Sequence, residues 1–359
     1  MRILRQRADV AEATKATNAT DATKGTGGSG QAGGPEQTVG SAAERPASRA
    51  TKRPAGPKPV QLREAQVLRV VRDGTYTRLA VHAPAIAEIA RPGQFVGFAV
   101  GGPTSGLLLR RSFSIARVGP AGTIEVVVAP VGPGTRWLTA RVAGDRVDIT
   151  GPLGRPFPLP VAAEPGHGPR TLLIGGGYGS APLFALAAAL RQRGCHITMA
   201  LGAATEDKLY GVPEARRVSD ECSIATEDGS AGVTGRVTSA FDPTMSAIDV
   251  VYACGPMAML GAVSRLAKSA GIPSYIAVEE AMACGIGVCM TCVLPIKPKG
   301  APLSEVRLIR ACTDGPVFPG EVVQFDLIGQ VLPVATSPSA APTRAPHSPS
   351  TPTSVEAPR

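Results

Sequence analysis

The chain changes its hydrophobic rhythm twice. From Val60 to about Leu159, short apolar alternations broken by Gly and Pro recur: AQVLRVVRD, YTRLAVHAP, GQFVGFAV, RSFSIARV, TIEVVVAPV and DRVDITGPLG. A period of two turns one face of a strand to a core and the other to water, so this run predicts an antiparallel β-sandwich or barrel. Only AIAEIA, residues 85–90, reads as a helical turn. After the linker AAEPGHGP the period lengthens. RTLLIGGG, CHITMALGA and DVVYACGP read as buried strands, while APLFALAAALRQRG and MAMLGAVSRLAKSAG read as helices closed by Gly194 and Gly271. Strands alternating with helices predict a parallel α/β sheet, whose ligands sit at the carboxyl ends of the strands. The stretch from about Ile276 to Val334 is Cys-bearing and too short for a large core of its own, a deficit that a bound metal would offset.

Composition sets the limits of the fold. Residues 1–58 and 335–359 are rich in Ala, Thr, Ser, Pro and Gly and nearly free of large apolar residues after Leu4, so both are expected to be disordered tails. The predicted architecture is therefore multi-domain: a barrel over 59–163, an α/β sheet over 169–275 and a small C-terminal unit over 276–334. The formal charge of +9 is largely a tail effect, because residues 1–58 hold ten Lys/Arg against five Asp/Glu. With fourteen aromatics in all and no basic stripe among them, a nucleic-acid partner is not expected. The start has no apolar signal region, and its acidic residues Asp9, Glu12 and Asp21 are unlike a transit peptide. The uncharged run Thr171–Leu190 is long enough for a membrane span but is interrupted by GGGYGSAP. A soluble, cytoplasmic protein is the expectation.

Seven cysteines, four of them clustered, argue for a metal or redox site rather than a disulfide framework. Cys284, Cys289 and Cys292 lie in CGIGVCMTC, and Cys312 follows in ACTDGP. C-x4-C-x2-C with a distant fourth Cys is the plant-type [2Fe–2S] spacing. Gly285 and Gly287 allow a tight loop whose amides can face sulfur. Zinc also accepts four thiolates, although its sites more often pair two C-x2-4-C knuckles. Cys195 and Cys222 read as buried small hydrophobes.

Other motifs suit nucleotides. Arg111 and Ser114 in RRSFS supply a guanidinium fork for pyrophosphate and a hydroxyl for a ring atom. Gly134 and Thr135 in VGPGT open a helix where amides can meet an anion. Gly175, Gly176, Gly177 and Gly179 form a glycine-rich turn between a strand and a helix, and Cys254, Gly255 and Pro256 end a second strand. The four histidines are scattered and no nucleophile–base pair is apparent, which places the chemistry in cofactors.

This order of motifs resembles the ferredoxin–NADP reductase superfamily. Within it, RPGQFV, RRSFSI, VGPGT, GPLGRPF, GGGYGSAP, ACGP, MACGIGVCMTC and ACTDGPVF resemble the electron-transfer subunits of type B dihydroorotate dehydrogenase. The resemblance covers about residues 60–330. It implies FAD held by Arg111, Ser112, Phe113, Ser114, Val127, Val128, Ala129, Gly134 and Thr135, NAD at the glycine turn and the Cys254–Pro256 stretch, and a [2Fe–2S] cluster on Cys284, Cys289, Cys292 and Cys312. It further implies an FMN-containing catalytic partner subunit, two copies of each, in pyrimidine (UMP) synthesis with NAD+ as acceptor. Three positions depart from the family. Ser112 and Phe113 stand where Pro-Ile or a Tyr is usual, Ala129 where Arg or Lys is frequent, and Tyr178 where a smaller apolar residue is usual. Two other outcomes stay open: a flavin and iron–sulfur reductase subunit serving ferredoxin or sulfide, whose members tend to carry Asp at the position of Cys284, and a zinc-stabilised binding module without redox activity.

Overall fold

The computed structural model describes residues 58–102, 104–164, 167–240 and 247–330. The expected tails, 1–58 and 335–359, lie outside the described residues except for Lys58. Among the described residues no helix is long and apolar enough to cross a membrane.

The alternating segments close into a six-stranded antiparallel barrel of order β1-β2-β5-β4-β3-β6. Its strands are β1 (Val60–Asp73), β2 (Tyr76–His82), β3 (Phe95–Phe98), β4 (Arg111–Gly119), β5 (Thr123–Val128) and β6 (Arg146–Leu153). Closure leaves no unpaired edge and aims every second side chain inward. Leu79, Phe98, Ile115, Ile124, Val126 and Ile149 fill the interior. The helical turn expected near residue 85 is α1 (Pro84–Ala87), and VGPGT opens α2 (Pro133–Thr139).

The second half is a seven-stranded sheet of order β10-β9-β8-β7-β11-β12-β15. It contains β7 (Arg170–Gly176), β8 (His196–Ala203), β9 (Glu221–Thr226), β10 (Val233–Thr234), β11 (Val250–Cys254) and β12 (Ser274–Ala277), all parallel. The last strand, β15 (Val317–Pro319), runs antiparallel to β12, so the Cys-bearing stretch is stitched into this sheet. Both faces of β7 are buried, which explains its unbroken apolar run. Helices α3 (Ala181–Arg191), α4 (Val212–Val218) and α5 (Met257–Ser269) cover the sheet. Leu183, Leu186 and Leu190 of α3 share one core with Leu173 and Tyr252, whereas Leu260 and Val263 of α5 share another with Leu172 and Ile174. The core on the α3 side also takes in Tyr76, Ala116 and Val127 from the barrel, so α3 is packed between sheet and barrel.

A charge chain reinforces that junction. Glu125 on β5 has a side chain only 6% exposed, 3.3 Å from Arg69 and 3.8 Å from Arg117. Arg117 also contacts Glu214 of α4 at 2.6 and 2.5 Å. Glu125 Oε1 has no hydrogen-bond partner among the described residues, so Arg117 balances its charge from the neighbouring strand while reaching Glu214 across the junction. Arg117→Ala leaves Glu125 with Arg69 alone and Glu214 with Arg217 alone at 3.8 Å, and is expected to lower stability by about 1–3 kcal/mol, less than for a fully buried pair. Arg117→Lys recovers part of the loss. Urea denaturation reads it, and an unchanged midpoint in Arg117→Ala contradicts the assignment.

Candidate functional site

Barrel, sheet and C-terminal stretch meet around a cavity of about 320 Å³, within the range of small-molecule sites. The barrel contributes Phe95, Arg111, Ser112, Phe113, Ser114, Val127, Ala129 and Thr135. The sheet contributes Tyr178, Gly179 and Cys254, and the segment after β12 contributes Val278, Glu279, Glu280 and Met282. Phe95 pairs with Ser114 and Gly97 with Ser112, so neighbouring strands β3 and β4 build one wall. Arg111 bonds the carbonyls of Leu109 at 2.7 Å and Arg110 at 3.4 Å, and it forms no ion pair among the described residues. Gly134 comes so close that a Cβ there would lie 2.9 Å from Arg111 Nε. A guanidinium without a carboxylate, cradled by a bare backbone, suits a pyrophosphate.

Opposite, two strand ends meet backbone to backbone. A Cβ on Gly179 would lie 2.6 Å from Gly255 Cα, and one on Gly176 2.7 Å from Pro256 Cδ. The turns after β7 and β11 therefore approach as closely as glycine allows. This places Cys254 on the cavity wall, where burial, followed by the nearby Glu279 carboxylate, pushes its thiol up to about 12. The Tyr178 hydroxyl donates to Glu279 Oε1 at 2.5 Å.

The cysteine loop is shaped by a hairpin. Strands β13 (Val293–Ile296) and β14 (Arg307–Arg310) pair with Val293 opposite Arg310, which sets the flanking residues side by side. Ala311 N–H donates to Cys292 O at 2.8 Å and Cys312 N–H to Cys292 Sγ at 3.4 Å. Cys312 itself sits in the single turn α6 (Ala311–Asp314). The other two cysteines form a second pair. The amides of Ile286, Val288 and Cys289 point at Cys284 Sγ from 3.3–3.4 Å. Burial opposes ionisation of Cys284, but these amides outweigh it and lower its thiol below the ordinary value. Cys289 is lowered to about 6, first by hydrogen bonds from Thr291 and then by those from Cys284. Cys312 is pushed up to about 12 by burial and by Cys292. Gly285 and Gly287 take φ of +70° and +83°, the left-handed region that lets the loop curl its amides inward.

Two thiol pairs with converging amides fit a two-iron, two-sulfide group, in which each iron takes two thiolates and the amides offset sulfide charge. Among the described residues, no three His, Cys, Asp or Glu side chains surround a single-ion position. A coordinating thiol is deprotonated whatever its free value, so the high position of Cys312 is no obstacle. The loop also abuts the cavity. A Cβ on Gly285 would lie 3.5 Å from the Phe95 ring and 3.7 Å from Ser112 Oγ, and both residues line the cavity.

Of the residues singled out from the sequence, Arg111, Ser112, Phe113, Ser114, Val127, Ala129, Thr135, Gly179 and Cys254 line one cavity. Gly175, Gly176, Gly177, Gly255 and Pro256 stand behind or beside that lining in the two turns. Val128 is not brought there: its side chain is fully buried in the barrel interior. The Thr135 hydroxyl accepts from Gly132 N–H at 2.9 Å and donates to Gly132 O at 3.0 Å, so it closes its own helix turn. Sequence reasoning missed Glu279 and Arg310. Arg310 donates to Gly287 O at 3.0 Å and fastens the loop. Its one signal is a charged residue directly before ACTDGP.

A closed barrel, a parallel sheet and a four-thiol loop around one cavity define an oxidoreductase subunit built for electron transfer. The comparisons make this specific. Residues 279–324 match the family described as the iron–sulfur cluster binding domain of dihydroorotate dehydrogenase B. The chain is 40% identical over 257 residues to the dihydroorotate dehydrogenase B (NAD(+)) electron transfer subunit of Geobacillus thermodenitrificans, covering 71% of this chain and 95% of that one. It is 37% identical over 268 residues to the same subunit of Desulforamulus reducens, covering 73% and 98%. Among solved structures, the NADH-dependent reduced ferredoxin–NADP oxidoreductase superposes with a TM-score of 0.63 at 31% identity, over 74% of this chain and 91% of that one. The chain belongs to the family of dihydroorotate dehydrogenase B electron transfer subunits.

The contact between the two turns yields a test. Gly179→Ala drives a methyl group into the Gly255 backbone and is expected to destabilise the protein by about 1–3 kcal/mol. The denaturation midpoint measures it, and wild-type stability contradicts the close approach.

Proposed function

We propose that this chain passes electrons from dihydroorotate, oxidised at the FMN of a partner catalytic subunit, to NAD+ by way of a [2Fe–2S] cluster and FAD, in the de novo synthesis of UMP. The observation that carries this reading is the contact of the Gly285 turn with Phe95 and Ser112, which sets the four-thiol loop directly against the cavity. FAD, when bound, exchanges single electrons with an iron–sulfur group and a hydride with nicotinamide. In this reading Arg111 and the amides about Gly134 hold its pyrophosphate, while Ser112, Phe113, Ser114, Val127 and Ala129 surround its ring. The Val128 backbone completes that strand. Thr135 shapes the turn rather than donating outward. Cys284 with Cys289, and Cys292 with Cys312, hold one iron each.

The glycine turn Gly175–Gly179 and the Cys254–Pro256 stretch receive NAD+ at the carboxyl ends of β7 and β11, the usual ligand edge of a parallel sheet. The domain roles follow: barrel for FAD, sheet for NAD and C-terminal stretch for the cluster. Ile286, Val288 and Met290 are 55%, 75% and 53% exposed around Cys289, an apolar rim of the kind that marks a docking surface. This rim faces the catalytic subunit in a heterotetramer of two copies of each chain, in the cytoplasm.

A second reading is favoured by the 31% identity to the ferredoxin–NADP oxidoreductase: a subunit of similar build serving another acceptor. Against it stand the higher identity to the dihydroorotate family and the complete four-cysteine set. Co-expression with an FMN-containing dihydroorotate dehydrogenase subunit separates the two. The pair is expected to co-purify and to reduce NAD+ with dihydroorotate, and Cys284→Ser to bring that activity to background while the flavin is retained. A loaded subunit that reduces ferredoxin but never couples to dihydroorotate decides for the second reading.

A further inference from the structure

The mouth of the cavity carries a contact that none of these roles uses. Tyr178 projects from the glycine turn after β7, and Glu279 follows β12 by two residues, five residues ahead of Cys284. The two side chains, 101 positions apart in sequence, join through the 2.5 Å hydrogen bond. Tyr178 is 39% exposed, whereas Cys254 beneath it is 8% exposed. Both line the cavity together with Gly179 and Glu279. The phenol ring also packs edge-on against Tyr76 of the barrel, with centroids 5.6 Å apart. Burial, followed by the Glu279 charge, raises the phenol above its ordinary value, so it remains a protonated donor at neutral pH.

We propose that Tyr178 and Glu279 set the affinity for the nicotinamide ring, because their hydrogen bond bridges the mouth above Cys254 and must open before a pyridine ring can reach the cavity wall. The inference rests on the reading of this cavity as the flavin–nicotinamide site. Tyr178 from the β7 turn and Glu279 from the segment after β12 are exposed residues of the lining, whereas Cys254 is buried, so the bond ties together two elements at the solvent edge of the cavity. Part of the binding free energy is then spent separating two groups already well paired. The bar needs a side chain long enough to reach Glu279 from the β7 turn, and the Tyr178 phenol supplies that reach. Both residues are positioning residues: they control entry and hold no reacting atom.

The test is NAD+ and NADH titration of the flavin-loaded, cluster-loaded protein, followed by calorimetry and by the flavin absorption spectrum. Tyr178→Phe keeps the ring and deletes the donor, while Glu279→Ala deletes the acceptor from the other side. Each is expected to tighten NAD+ binding about three- to tenfold, the range of one partly exposed hydrogen bond. The double variant is expected to gain no more than either single one, since both remove the same bond. Unchanged or weaker binding in both single variants, with normal binding by the wild type, overturns the bar and leaves the nucleotide site standing. Gains that add in the double variant overturn it too. Binding of neither nucleotide by the wild type overturns the nucleotide reading and the bar together.

Discussion

The close seating of the Gly285 turn on the barrel wall is the contact on which the rest of the molecule depends. Electron transfer needs two redox groups near each other, yet the four-thiol loop and the barrel that walls the cavity lie far apart in sequence. The fold brings them together with backbone. Strand β15 adds an antiparallel edge to the parallel sheet, and Val278 N–H bonds Pro316 O at 2.9 Å. Arg155 N–H bonds Gly315 O at 2.6 Å, tying the same residues to the end of the barrel. Main-chain hydrogen bonds of this kind hold position better than long side chains, which lose more conformational entropy when fixed.

Within the loop, the same economy governs charge. Amide dipoles aimed at Cys284 stabilise negative sulfur without importing a cation. The hairpin register, rather than sequence proximity, delivers Cys312 to Cys292. A one-residue slip would turn the flanking side chains to the other face and separate the pair. Arg310 closes the arrangement by holding the Gly287 carbonyl.

Much of this was legible in the sequence. Alternation in segments such as YTRLAVH marked the barrel strands, and the unbroken run TLLIG marked a strand buried on both faces. The spacing of the four cysteines singled out the residues that the structure gathers into two thiol pairs. What was not legible has physical reasons. Val128 is different: Thr123 and Glu125 mark the parity of TIEVVV, which sends Val128 inward with Ile124 and Val126 and Val127 outward, but its role was taken from the resemblance rather than from that alternation. VFP is too short for a periodic signal, which hid the antiparallel strand β15. The Thr135 hydroxyl has a local partner in the Gly132 backbone three residues earlier, and local partners win over distant ligands when both are within reach. Tyr178 with Glu279, and Arg117 with Glu214, are pairs made by tertiary packing, and no spacing rule links residues so far apart.

The account rests on electronic contact between the cavity and the four-thiol loop, and low-temperature EPR of the isolated holoprotein after addition of NADH tests it most directly. The account predicts that NADH alone, with no partner subunit present, bleaches the flavin and brings up the signal of a reduced [2Fe–2S] cluster. Flavin bleaching with a cluster that stays oxidised, although dithionite can reduce it, would contradict the account.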